Sequence, residues 1–239
     1  MEKLVYVLWG EAAEGSDRYR DAVMGVAPEL VDLSVGPVWI DVDDAESVCP
    51  SPAPPPAGED PHVAVVSLWV HAYDRRPQAI EAALGTLGLR LAGYRVAESL
   101  WTDYGDTRWA GPRDWAAGER SPGISTVALL HRPEGLAVRE WRRRWHGTQS
   151  PVSAEIQPRT RYVRNEVAHP VTDDAPELHG IVEECWASID DVTDPMRFFC
   201  ADGDPELLRR NVERMMESVG ACLDLARLRS STMSEYLLS

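Results

Sequence analysis

Arg142, His146 and Gln149 stand four and three residues apart, a spacing that puts a guanidinium, an imidazole and a carboxamide on one helix face. Trp141, Trp145 and Gln149 form an adjacent row at spacings of four. Such a face can wall a pocket: Trp145 packs an aromatic substrate, His146 exchanges a proton near neutrality and Gln149 orients by hydrogen bonding. The same spacing also suits a helix that buries its tryptophans and leaves His146 capping or solvated beside Gly147. Further along, Tyr162, Arg164 and Glu166 alternate with Val163, Asn165 and Val167. If the valines face the helices, Tyr162 and Arg164 point into a barrel, where a tyrosine polarises a carbonyl and an arginine stabilises an enolate. An ion pair of Arg164 with Glu166 or Glu184 is the plainer alternative. Glu183 and Glu184 point to opposite faces of one strand, so one looks inward, either as a base with a raised pKa or as an arginine's partner.

Other chemistries find no residues. Lys3 is the only lysine among 24 basic residues, so a Schiff base or phosphate-loop lysine would have to be Lys3 on the opening strand. Cys49, Cys185, Cys200 and Cys222 are scattered without a Cys-x-x-Cys pair, which argues against structural zinc and for reduced thiols. There is no Gly-rich phosphate loop, His-Glu-x-x-His or nucleophile elbow. A net charge of −15 repels phosphate backbones and anionic lipid, leaving small molecules and proteins as partners. No apolar run is long enough to span a bilayer, and Met1-Glu2-Lys3 leads directly into a strand; the expected location is the cytoplasm.

These residues need elements to hold them. The 239 residues suit one large domain or two small ones. Leu4–Trp9 reads as a strand, Asp17–Val31 as a helix, Val38–Val42 and Val63–Val70 as strands, Gln78–Leu87 as a helix and Tyr94–Tyr104 as a strand. The second half repeats this order: strand Ile124–His131, helix Val138–Ile156, strands Arg161–Val167 and Ile181–Trp186, helix Pro205–Cys222, and a strand within Leu225–Leu237. Local echoes match the two halves: Val5–Trp9 with Val127–His131, Trp69 and Asp74 with Trp186 and Asp191, and Ser99–Tyr104 with Ser231–Tyr236. The predicted fold is α+β: tandem ferredoxin-like β-α-β-β-α-β units that pack their sheets into a barrel within one chain. Residues 1–105 form the first unit, 123–239 the second, and 106–122 a linker in which Trp109 and Trp115 serve as a lid or as anchors. The proline-rich run Pro50–Pro61 reads as a spacer.

The stretch Arg144-Trp145-His146-Gly147-Thr148-Gln149-Ser150-Pro151-Val152, followed by Tyr162-Val163-Arg164-Asn165, resembles the EthD-like branch of the dimeric α+β barrel superfamily. Gly180–Trp186 and the closing Thr232-Met233-Ser234-Glu235-Tyr236 fit the same pattern, so the resemblance covers about Ile124 to Leu238, with a degenerate copy before it. It implies a pocket protein with no cofactor and no metal, related to polyketide cyclases, muconolactone isomerase and fungal dehydratases. The expected activity is that of a lyase or isomerase (a cyclase, dehydratase or enolising isomerase) on an aromatic, polyketide-like or cyclic molecule. His146, Tyr162 and Arg164 would be catalytic; Trp145, Gln149, Glu183 and Trp186 would contact a small hydrophobic or aromatic substrate. The family histidine falls on Gln149, which cannot take a proton at neutral pH, so His146 is the proton carrier to expect. A non-catalytic binding protein using the same cleft is the main alternative, and a haem protein of the chlorite dismutase-like group is a third. The resemblance is also compatible with a homodimer.

Overall fold

The computed structural model describes residues 1–13, 15–71 and 76–238, so Asp74 of the proposed echo lies outside the described residues. The first half contains β1 (Glu2–Trp9), α1 (Arg18–Leu33), β2 (Trp39–Val42), β3 (His62–Val70), α2 (Arg76–Gly85) and β4 (Arg90–Thr102). The second contains β5 (Ile124–Leu130), α3 (Val138–Arg144), a single π turn (Trp145–Gln149), α4 (Ser150–Ile156), β6 (Arg159–Pro170) and β7 (Gly180–Trp186). It continues with α5 (Asp190–Thr193), α6 (Pro195–Phe198), α7 (Pro205–Gly220) and β8 (Arg229–Leu237). The expected order of elements holds in both halves. The short helices α5 and α6 are additions, and α6 is started by Pro195 and by the Asp194 side chain accepting from the Met196 N–H.

The eight strands close into an antiparallel barrel in the order β1-β3-β2-β8-β5-β7-β6-β4. Within each half the fourth strand lies beside the first, the first beside the third and the third beside the second, as a ferredoxin-like unit requires. The halves are joined by two ladders, β2 with β8 and β4 with β6. Closure leaves no free sheet edge.

Alternation along the strands divides the apolar residues into separate cores. Val5, Val7, Val65, Tyr94, Val127 and Met233 fill the barrel with side chains from both halves. Leu4, Tyr6 and Leu8 face the other way, into the layer beneath α1 and α2. In the second half Leu130, Tyr162 and Val182 pack against Trp141 and Trp145 beneath the helix. On α7, Asn211, Met215 and Ser218 are buried, whereas Leu208 and Val212 are only half-covered. Asn211 is tolerated there because its Nδ2 donates to the Phe199 carbonyl at 2.8 Å. The run Pro50–Pro61 is a docked loop: the Ser230 N–H donates to Ala53 O, and Thr232 Oγ1 donates to Cys49 O.

Candidate functional site

The helix that carries the motif is not a uniform α-helix. One π turn, Trp145–Gln149, is inserted between α3 and α4, and Ser150 Oγ donates back to Trp145 O at 3.0 Å. Single π turns within α-helices recur at functional sites, because one extra residue turns side chains off the regular stripe. Trp141 and Trp145 remain buried with ring centroids 4.8 Å apart, and Trp145 meets the His146 ring edge to face at 4.6 Å.

Beneath this turn lies β6, and its orientation corrects the sequence expectation. Tyr162 and Arg164 face the helix; Arg161, Val163 and Asn165 face the barrel. The bulky partners decide this, since Tyr162 belongs to the Trp141–Trp145 core and Val163 closes over the interior. Ser150 gives its only hydrogen to Trp145 O, so the Tyr162 hydroxyl donates to Ser150 Oγ at 3.3 Å, and Arg164 Nη1 donates to the same oxygen at 2.8 Å. Arg164 Nη2 donates to Ser99 Oγ at 2.7 Å, and its guanidinium lies 4.7 Å from the centre of the Trp101 ring. No carboxylate pairs with Arg164 among the described residues: Glu166 is taken by Arg142, and Glu184 by Arg159.

Among the described residues, His146 Nε2 and Gln149 Oε1 on the π turn and Arg164 Nε on β6 are buried without a hydrogen-bond partner, as is Trp141 Nε1; the first three are a base, an acceptor and a cationic donor. Burial lowers the His146 pKa from its ordinary value, and the nearby Arg164 and Arg142 charges lower it further against the pull of Glu166. The ring is therefore a neutral base at neutral pH. Burial pushes the Tyr162 phenol up, so it stays a protonated donor. Trp101, 37% exposed, supplies an aromatic surface beside the arginine.

Two of the expected substrate contacts are elsewhere. Glu183 is the inward-facing glutamate of the pair, but it lies inside the barrel, away from the helix. It accepts from Ser67 Oγ at 3.1 Å and Asn165 Nδ2 at 2.9 Å, and lies 3.4 Å from both Lys3 Nζ and Arg161 Nη1. Burial alone would raise its pKa, yet Lys3 and Arg161 hold it below the usual carboxylate value. Trp186 is a fully buried packing residue: Nε1 donates to Thr126 Oγ1 at 3.1 Å and the ring stacks on Phe198. Lys3, committed to Glu98 at 2.7 Å and to Glu183, offers no free amine.

The barrel end nearest the linker holds a second ionic group. Glu235 accepts from Arg161 Nη1 at 2.8 Å, Tyr104 OH at 2.7 Å, Ser121 Oγ at 2.8 Å and Cys185 Sγ at 3.2 Å. Burial, with Glu183 and Glu235 nearby, drives the Asp41 carboxyl well above its ordinary value, and Ser125 donates to it at 2.6 Å. With four donors the Glu235 carboxylate is saturated, which suits a structural plug better than a base. Outside this plug the linker forms a cavity of about 260 Å³ with Tyr104, Trp109, Trp115 and Thr160 in its wall. A larger cavity of about 630 Å³ lies between Pro77–Glu81 and His169–Asp173.

No helix among the described residues is long and apolar enough to cross a membrane. No family model and no curated protein matches the chain. Solved structures do match. An anthrone oxidase-like protein aligns over 100% of this chain and 94% of its own, at 14% identity and a TM-score of 0.54. A protein described as a monooxygenase from Fusobacterium nucleatum covers 100% and 92% at 7% identity and a TM-score of 0.49. A chlorite dismutase from Candidatus Nitrospira defluvii covers 97% and 90% at 9% and 0.43. Identities this low speak to architecture alone, and the anthrone oxidase-like match together with the strand order above establishes that this chain has the dimeric α+β barrel fold, built as a fused pair within one polypeptide.

Proposed function

We propose that the chain is a small-molecule enzyme in which the π turn and β6 of the second half carry out acid/base chemistry on an aromatic or cyclic substrate without a cofactor. His146 removes a proton next to a carbonyl, Arg164 stabilises the enolate oxygen, and Gln149 orients the substrate through its free amide oxygen. Tyr162 acts through Ser150: the two hydroxyls hold the Arg164 guanidinium in place, which makes Tyr162 a positioning residue. Enolisation of this kind underlies isomerase, cyclase and dehydratase steps alike. The observation that carries the reading is the group of three buried, unpartnered atoms, His146 Nε2, Gln149 Oε1 and Arg164 Nε. Native proteins leave few such atoms, and a bound ligand would satisfy all three.

The test uses an enolisable aromatic ketone, 2-tetralone, deuterated at its α-carbon, with loss of label followed by NMR. The expected result is label exchange faster than buffer, reduced about 10²–10⁴-fold in His146→Ala with the melting temperature nearly unchanged. Exchange at the buffer rate with wild-type protein, or equal rates in wild type and His146→Ala, overturns the proposal.

A second reading, a non-catalytic binding protein, is favoured by the linker cavity. Its wall is aromatic, and Trp115 Nε1 and Thr160 Oγ1 are buried there without partners. Mass spectrometry of small molecules that co-purify with wild type but not with Trp115→Ala would support it.

A further inference from the structure

We infer a divalent transition-metal site at the mouth of the barrel, formed by His131, Glu177 and His179. Leu130 and Gly180 are the last paired residues of the β5–β7 ladder, and the His179 N–H still donates to Leu130 O at 2.9 Å. The next pair out is His131 opposite His179, whose side chains leave the ladder on the same face. Glu177 stands two residues before His179 and returns to that face. One ligand atom from each of the three lies within 4.8 Å of the others. In a tetrahedral shell with bonds of about 2.0–2.1 Å, ligand atoms stand about 3.4 Å apart, so closing the shell takes roughly 1 Å of side-chain movement. Glu177 is exposed and, among the described residues, held only by Arg227, at 3.4 Å, so it can supply that movement.

A second observation points to a ligand. His131 is only 9% exposed, and its Nδ1 has no hydrogen-bond partner. The Arg132 N–H reaches His179 Nδ1 at 3.3 Å, beyond the usual range for such a bond, and holds the ring weakly. His131 and Glu177 open onto a cavity of about 220 Å³ that also presents Trp9, Glu59, Arg90, Arg227 and Arg229. Two imidazoles and one carboxylate with space beyond them are the donor set of zinc-type sites that keep an open position. Arg229 is held by Glu59 at 2.9 Å, and Arg227 is released when Glu177 turns to the metal, so Arg227 matches an anion in that position and the ligand expected beside the metal is a small carboxylate.

The experiment takes the chelator-treated full chain and titrates it with Co²⁺ at neutral pH, followed by calorimetry and visible absorption, with Zn²⁺ as competitor. The expected result is one equivalent of Co²⁺ with the intense bands of a four- or five-coordinate site, displaced by Zn²⁺. Affinity should fall by at least about tenfold in Glu177→Gln and in His179→Ala, and stay unchanged in Glu206→Gln on the exposed face of α7. Glu177 is exposed, so its loss cannot be confused with a failure to fold. Weak binding without these bands, or binding equal in wild type, Glu177→Gln and His179→Ala, would mean that scattered surface carboxylates hold the ion, and overturns the site.

Discussion

His146 owes its chemistry to the charges around it. Its base form is neutral, so in the proposed mechanism activity would be lost as pH falls through its pKa, and burial together with Arg164 places that pKa below the ordinary imidazole value. Removing the neighbouring cation should raise it. In Arg164→Gln the acid limb of the pH–rate profile should therefore move to higher pH, while kcat on the plateau falls from the loss of enolate stabilisation. A profile shape identical to that of wild type would separate His146 from Arg164 and count against the proposed pairing. Tyr162→Phe should act differently: it removes the donor to Ser150 and loosens Arg164, leaving the acid limb in place. The unpartnered atoms of this group are the basis of the proposed site; the carboxylates of Glu183 and Glu235 are fully partnered. That contrast separates the two polar clusters of the molecule.

At the scale of one element, the π turn Trp145–Gln149 decides what the motif can do. Gly147 lies on its exposed side, where an added Cβ would meet nothing within 4 Å, and its φ is not in the left-handed region. Gly147→Ala should therefore stabilise the chain by roughly 0.5–1 kcal/mol, since alanine loses less backbone entropy in a helix. Deleting Gly147 is a sharper change. A π turn is one inserted residue, so its removal restores a regular helix with α3 and α4 in phase, and rotates His146 and Gln149 relative to Arg164. Denaturant midpoints should show a folded protein, and the tetralone exchange assay a large loss of activity. A deletion variant with full activity would show that the π turn is incidental. Gly180 is the opposite case: an added Cβ would sit 2.7 Å from the Trp145 ring, so the strand passes close beneath the tryptophan only because no side chain intervenes.

At the scale of the molecule, the barrel makes the two halves one folding unit. Its interior core takes Val5, Val7 and Tyr94 from the first half and Val127, Ile181 and Met233 from the second. Across it, Lys3 of β1 reaches Glu98 of β4 and Glu183 of β7, all within the closed wall. Lys3→Met should leave Glu183 a buried charge with one cation fewer, at a cost of about 3–5 kcal/mol, and Lys3→Met with Glu183→Gln should recover part of that loss. Urea denaturation should show a single transition in both variants, because neither half can bury its inner sheet face alone. Two separate transitions in wild type would refute this coupling.

Apolar alternation and the repeated order of helices and strands were enough to settle the α+β class and the tandem ferredoxin-like units, because period and chain order are local properties. Val127–Leu130 and Leu4–Trp9 read as strands from composition alone. The motif also fixed which residues gather in the second half, since Trp145, His146, Gln149, Tyr162 and Arg164 stand on two neighbouring elements. The facing of β6 was not decidable from that alternation: Tyr162 and Val163 are both apolar enough to be buried, and only the tryptophans beneath the helix show that the tyrosine belongs there. The π turn escaped for a related reason, because a one-residue insertion leaves the sequence periodicity almost unaltered. Glu183 and Glu184 were indistinguishable until the ladder placed one beside Lys3 and Arg161. The histidines of the proposed metal site, His131 and His179, are far apart in the chain and within reach of one another only because β5 pairs with β7. Propensity and pattern act over a few residues, whereas facing, ion pairing and ligand convergence depend on which distant strand closes the barrel, and that is decided by the tertiary structure.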